Sequence, residues 1–193
     1  MSERLGVLGG AFDPIHLGHL ILASEAKRQL NLHRVLIVPT FDSAHQEKTI
    51  QTSFEHRCAM IKLAVADQPD LVLSDVESRL TGKSYTVNTL ELLKTIYCES
   101  EIDFIMGADG LDQFDTWHDP DRILSMATVV VAHRPGHQPL LKGRAAVMKL
   151  IEMPLIDISA SDIRRRVHEN LPIRFMVPPA VEEYISRSAL YRN

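Results

Sequence analysis

A repeating alternation restricts the fold of this chain more than any other feature. Short apolar runs of strand length, rich in Val, Ile and Leu, are separated by stretches with helical spacing. The runs are Leu5–Leu8, Val35–Val38, Leu71–Leu73, Ile102–Met106, Thr128–Ala132 and Leu155–Ile158. Helical patterns fall at about 17–30, 53–67, 86–97, 120–126, 143–151, 160–169 and 179–187. This is the βαβ rhythm of a parallel sheet. Several runs lack polar alternation, as expected of strands covered on both faces. The pattern predicts an α/β fold: a doubly wound, mostly parallel sheet with helices on both faces. Ligands of such sheets bind beyond the C-terminal strand ends, where strand order reverses.

The first strand runs into Gly9-Gly10-Ala11-Phe12-Asp13-Pro14-Ile15-His16-Leu17-Gly18-His19. A glycine pair therefore falls where a strand is expected to turn into a helix. Backbone N–H groups at such a junction, with the positive end of the helix dipole, suit a phosphate. Glycine lets a ligand approach the backbone closely. Pro14 suits the approach to a helix start. His16 and His19, three apart, lie on one helix face. Taken singly, each element has a plainer reading: a tight turn, a capping pair. Their combination in eleven residues is far more specific. The histidines lack metal-site spacing, and no Cys/His cluster elsewhere completes a zinc site, so no protein metal site is expected.

At 193 residues the chain suits one domain, residues 1–193, with a substantial core. Its formal net charge of −4 argues against a general nucleic-acid or acidic-membrane binder. Cys58 and Cys98 show no metal or redox spacing and read as thiols in a reducing compartment. The opening residues lack the basic and apolar segments of a secretory signal. No apolar run approaches membrane-spanning length. A cytoplasmic location is expected, with no membrane partner.

Four later stretches carry polar residues at positions that suit a ligand. Residues 39–57 follow the second strand, include His45 and Lys48, and read alone as a polar loop. Ser53 suits a helix N-cap there. Ser84-Tyr85-Thr86-Val87-Asn88-Thr89-Leu90 reads as a helix entry with hydroxyls near exposed N–H groups, where a carboxylate can bind. Gly107-Ala108-Asp109 ends a strand and puts an acid where ribose hydroxyls are commonly held. Trp117, the single tryptophan, suits either the core or ring stacking. Ser159-Ala160-Ser161-Asp162-Ile163-Arg164 has capping-box-like spacing. Its hydroxyls, free N–H groups and arginine can also cradle a polyphosphate. Arg165 and Arg166 read as a solvated face. Pro135–Pro139 reads as a surface turn and the closing Val181, Tyr184, Leu190 and Tyr191 as packing.

From Leu5 to Tyr191 the chain resembles the bacterial nicotinate-mononucleotide adenylyltransferases, of the (T/H)xGH class of nucleotidyltransferases. The string Gly9–His19, the Ser84–Leu90 turn, the Gly107–Trp117 stretch and Ile158–Arg164 carry the likeness in order. The loop at 43–48 and Asn88 depart from the family's Pro-Pro-His-Lys run and usual acid. The resemblance implies a Rossmann-like fold and transfer of AMP from ATP to nicotinate mononucleotide, giving deamido-NAD and pyrophosphate. It implies catalytic roles for His16, His19 and Arg164. It places ATP on Gly9, Gly10, Ala11, Phe12, His16, His19, Gly107, Asp109, Ser159, Ser161 and Arg164. The pyridine mononucleotide falls to Lys48, Tyr85, Thr86 and Trp117, and Mg²⁺ accompanies ATP. Nicotinamide mononucleotide, another phosphate acceptor such as pantetheine phosphate, or a sensor without turnover stay open as alternatives, as does a homo-oligomer.

Overall fold

A computed structural model describes residues 3–43, 50–133, 136 and 139–192. Its six strands are β1 (Arg4–Gly10), β2 (Arg34–Pro39), β3 (Leu71–Leu73), β4 (Glu101–Gly107), β5 (Thr128–His133) and β6 (Lys149–Glu152). Its helices are α1 (Leu17–Leu30), α2 (Phe54–Ala64), α3 (Thr86–Ile96), α4 (Pro120–Met126), α5 (Ala160–His168) and α6 (Pro179–Arg187). All strand pairs are parallel, in the order β3-β2-β1-β4-β5-β6. The chain winds one way from β1 to β3 and then the other from β4 to β6. The reversal lies between β1 and β4, and a crevice opens beyond their carboxyl ends.

The central strands are buried along most of their length, as their runs of Val, Ile and Leu require. Side chains on one sheet face, including Leu8, Ile37 and Ile105, pack with α1, α2, α5 and α6 residues such as Ala23, Ile61, Ile163 and Val181. The opposite face, including Val7, Leu36 and Phe104, packs with Leu90 and Leu93 of α3 and Ile123 of α4. Both layers share one sheet. Helix limits follow local chemistry. Asn31, left-handed at φ 53°, closes α1, its N–H donating to the Lys27 carbonyl. The Ser53 and Ser159 side chains accept from the His56 and Asp162 N–H groups at the starts of α2 and α5. Among the described residues no helix is long and apolar enough to cross a membrane.

One stretch departs from expectation. The helix expected at 143–151 is a 3₁₀ turn, Gly143–Val147, followed by β6. The strand expected at Leu155–Ile158 does not form. Met148 and Ile151 are the residues buried here, and Lys149–Glu152 pair with Val130–His133. Pro154, with no N–H to donate, stands just beyond, and Leu155 is exposed.

Candidate active site

Gly9 and Gly10 are not a turn. They are the last residues of β1, paired with Val38 and Pro39. A six-residue loop, Ala11–His16, then leads to α1. Phe12 sits in this loop at φ 49° with its ring buried in the core, edge-on to His19 at 4.9 Å. That leaves only its backbone for a ligand. His16 is the N-cap residue of α1, and its N–H donates to Nδ1 of His19 at 3.3 Å. With Nδ1 accepting, a neutral His19 carries its proton on Nε2 and is a donor there. The two rings stack with centroids 3.6 Å apart and planes 23° apart. Burial pushes the His16 imidazole from its ordinary 6.5 down to about 4, because the charged form loses water. Gly18 permits this stack. A Cβ on Gly18 would lie 3.1 Å from Cε1 and Nδ1 of His16.

The loop is braced from three directions. The buried Asp13 carboxylate accepts from the Gln51 N–H, the Thr52 hydroxyl and the Tyr191 hydroxyl, each at 2.6 Å. Arg57, almost wholly buried, donates from Nη1 to the Ala11 carbonyl at 2.8 Å. Arg164 donates from Nη1 to the Asp13 carbonyl at 2.7 Å. Burial raises the Tyr191 phenol well above its usual range, with the Asp13 charge adding to the effect. Desolvation lowers Arg57, although the Asp13 charge opposes it. Sequence reasoning gave Asp13 and Arg57 no role in the site and read Tyr191 as packing. Tyr191 lies beyond the end of α6, and nothing local to it signals a hydroxyl contact across 178 residues of separation.

Arg164 therefore joins the two strongest motifs. Its guanidinium bonds a carbonyl three residues before His16, and its Nε is buried without a hydrogen-bond partner. Ser159 and Ser161 lie at the same helix start, Oγ to Oγ 3.1 Å. Ahead of them, Ile156 lies 3.7 Å from where a Gly18 Cβ would be. Arg165 and Arg166 face away and pair with Asp162, and Arg165 also with Glu169. Arg164 is the one arginine of the three turned to the loop.

Beside this pair of helix starts, a cavity of about 260 Å³ opens at the strand-order reversal. Its wall includes Gly9, Gly10, Ala11, Tyr85, Thr86 and Trp117. Tyr85 is the N-cap residue of α3 and Thr86 its first, so the positive end of α3 borders the cavity. The Trp117 ring is set edge-on to Phe104 and tilted on Phe114. His118 lies over Tyr85 with centroids 4.5 Å apart. Gly107 ends β4, and a Cβ there would meet nothing within 4 Å; Asp109 follows in a 3₁₀ turn. His16, His19, Gly107, Asp109, Ser159, Ser161 and Arg164 are not in the cavity wall. Gly9–Ala11 connect that wall to the loop bearing the histidines. Lys48, His45 and most of the turn at 135–139 lie outside the described residues.

This arrangement, two helix starts joined through Arg164 beside the switch point of a parallel sheet, fits a nucleotidyltransferase-type domain. A family model described as cytidylyltransferase-like matches residues 7–166. A relative from Thermomicrobium roseum, named a probable nicotinate-nucleotide adenylyltransferase, is 46% identical over 99% of this chain and 92% of its own length. A relative of the same name from Desulfitobacterium hafniense is 39% identical over 98% and 96%. Two solved structures of Plasmodium falciparum nicotinic acid mononucleotide adenylyltransferase, complexed with NaAD and with APC, share the fold. Their TM-scores are 0.80 and 0.78 at 20% and 19% identity, each covering 98% of this chain and 97% of the other. The chain belongs to the nicotinate-nucleotide adenylyltransferase family.

Proposed function

We propose that residues 1–193 act as one nucleotidyltransferase domain that transfers AMP from ATP to nicotinate mononucleotide, a step of NAD biosynthesis. The products are nicotinate adenine dinucleotide and pyrophosphate. The 5′-phosphate of the mononucleotide attacks the α-phosphorus of ATP in line. The bond from that phosphorus to the bridging oxygen breaks, and pyrophosphate leaves with the electron pair. The nucleophile is already an anion, so positioning and charge stabilisation supply the catalysis. Nε2 of His19 donates to the α-phosphate oxygens as charge builds, with His16 beneath it. Arg164, Ser159 and Ser161 hold the departing β and γ phosphates. Gly107 and Asp109 receive the adenylate ribose. Trp117 stacks on the pyridine ring, and the Tyr85–Thr86 start of α3 receives its carboxylate.

Mg²⁺ enters as part of the substrate, on the triphosphate oxygens. The donor set does not fit a protein-held ion: Asp13, the carboxylate of the histidine-bearing loop, spends both oxygens on Gln51, Thr52 and Tyr191. No group of three His, Cys, Asp or Glu among the described residues could hold one. The acidic balance of the chain supports small-molecule substrates over nucleic acid, and the free thiols Cys58 and Cys98 support a reducing, cytoplasmic setting.

The observation that carries this reading is the Arg164–Asp13 hydrogen bond, which supports a single triphosphate grip built from two distant motifs. An acceptor panel with ATP, read by pyrophosphate release, tests it. Nicotinate mononucleotide is expected to give the highest kcat/KM. Greater efficiency with nicotinamide mononucleotide or pantetheine phosphate changes the acceptor, and no release with any acceptor removes the activity.

A further inference from the structure

We propose that Glu77 determines specificity, its buried carboxylate selecting the cationic, oxidised pyridinium ring of the mononucleotide over uncharged rings. The inference rests on the acceptor assigned above. Glu77 lies in the 3₁₀ turn Val76–Arg79 after β3, 7% exposed, and lines the same cavity as Tyr85, Thr86 and Trp117. Its Oε2 accepts from the Phe41 N–H at 3.0 Å, and Oε1 from the Thr89 hydroxyl at 2.9 Å. Both donors are neutral. Of the cations around it, Arg79 pairs with Asp75 and Lys83 with Asp42, and the buried Arg57, whose charge acts on Glu77 at longer range, directs its Nη1 to the Ala11 carbonyl. Among the described residues, no Lys, Arg or His nitrogen forms an ion pair with Glu77.

A carboxylate taken out of water is costly unless charge compensates it. Here hydrogen bonds hold it in place and leave its negative field projecting into the cavity. Among the described residues the rest of the wall mixes apolar Val7, Leu90 and Phe104 with neutral hydroxyls such as those of Thr40, Ser84 and Thr86, and holds no Asp, Lys or Arg to oppose that field. A pyridine joined to ribose through its nitrogen is a permanent cation, and its missing counter-charge is what Glu77 supplies. The indole face of Trp117 favours the same charge. The ring's own carboxylate meets the opposite polarity at the start of α3. The cavity thus matches both ends of a zwitterionic ring. A 1,4-dihydropyridine ring of the same shape has no cation to place there.

Binding of nicotinate mononucleotide and of its 1,4-dihydro form is measured by calorimetry on the wild-type chain, Glu77→Gln and Thr89→Val. Wild type is expected to prefer the cationic form, and Glu77→Gln to shrink that preference about tenfold with the dihydro affinity nearly unchanged. KM for ATP stays at the wild-type value. Thr89→Val, which keeps the charge but removes a donor, shifts both ligands by one factor. Equal losses for both ligands in Glu77→Gln, or no wild-type preference, overturn the proposal. The wild-type comparison alone can do so if the variant does not fold. Tight, charge-selective binding without pyrophosphate release would instead overturn the activity and leave this inference standing.

Discussion

The hydroxyl of Tyr191 donates to Oδ1 of Asp13 at 2.6 Å and ties the end of the chain to the loop that carries His16. The same carboxylate holds Gln51 and Thr52, so one buried acid joins three segments. Tyr191→Phe removes one donor and leaves two, which should cost about 1 kcal/mol. Asp13→Ala strips the acceptor from all three and should cost on the order of 3 kcal/mol. Urea unfolding followed by circular dichroism measures both. Equal midpoints for the two variants would show that the acid does not act as a junction.

His16 should make the unliganded protein acid-sensitive. Burial takes its imidazole from 6.5 to about 4, so on acidification the unfolded chain is protonated first. The stabilisation from a neutral His16 is whole above pH 6.5 and is lost progressively as pH falls toward 4. The gap corresponds to roughly 3 kcal/mol. Urea midpoints between pH 7 and 5 should therefore fall more steeply for wild type than for His16→Asn. Parallel pH slopes would remove His16 from the acid response.

What the sequence revealed follows from how local each feature is. The Gly9–His19 string and Ser159–Arg164 place their hydrogen-bonding groups within a few residues, so both stretches could be picked out from spacing as candidates. Strands buried on two faces declare themselves through Val, Ile and Leu, as Val35–Val38 and Val129–Val131 do. The edge strand Lys149–Glu152 is half polar, and only its pairing with β5 makes it a strand. Apolar Leu155–Ile158 looked better and remained unpaired beyond Pro154. Arg57 resembled any helical arginine because its partner, the Ala11 carbonyl, is set by tertiary packing. Glu77 was silent for the same reason.

Gly18→Ala separates the chemistry from the fold. Alanine suits a helix better than glycine, yet its Cβ would press on the His16 ring at 3.1 Å. The ring must shift, and His19 stacks directly on it. Turnover should fall roughly tenfold, because small misplacements at a reacting centre cost rate. The urea midpoint should change little. Full turnover with a displaced His16 ring in the variant's crystal structure would show that the stack need not be exact.

His19 holds two jobs on two nitrogens, and two substitutions divide them. Nδ1 accepts from the His16 N–H and fixes the start of α1, while Nε2 is the donor assigned to the α-phosphate. His19→Ala removes both. His19→Asn puts an amide oxygen near the Nδ1 position and so keeps the cap, but nothing reaches as far as Nε2. Both variants should lose about 10²–10³ in kcat, the usual consequence of removing a donor from developing charge. Only His19→Ala should also lose about 0.5–1 kcal/mol of stability from the missing cap. Saturating kinetics with ATP and nicotinate mononucleotide, beside thermal melts, read the two effects independently. Near-wild-type kcat in His19→Asn would mean that the ring matters for shaping the helix start, and the phosphate donor would then have to be sought in Arg164.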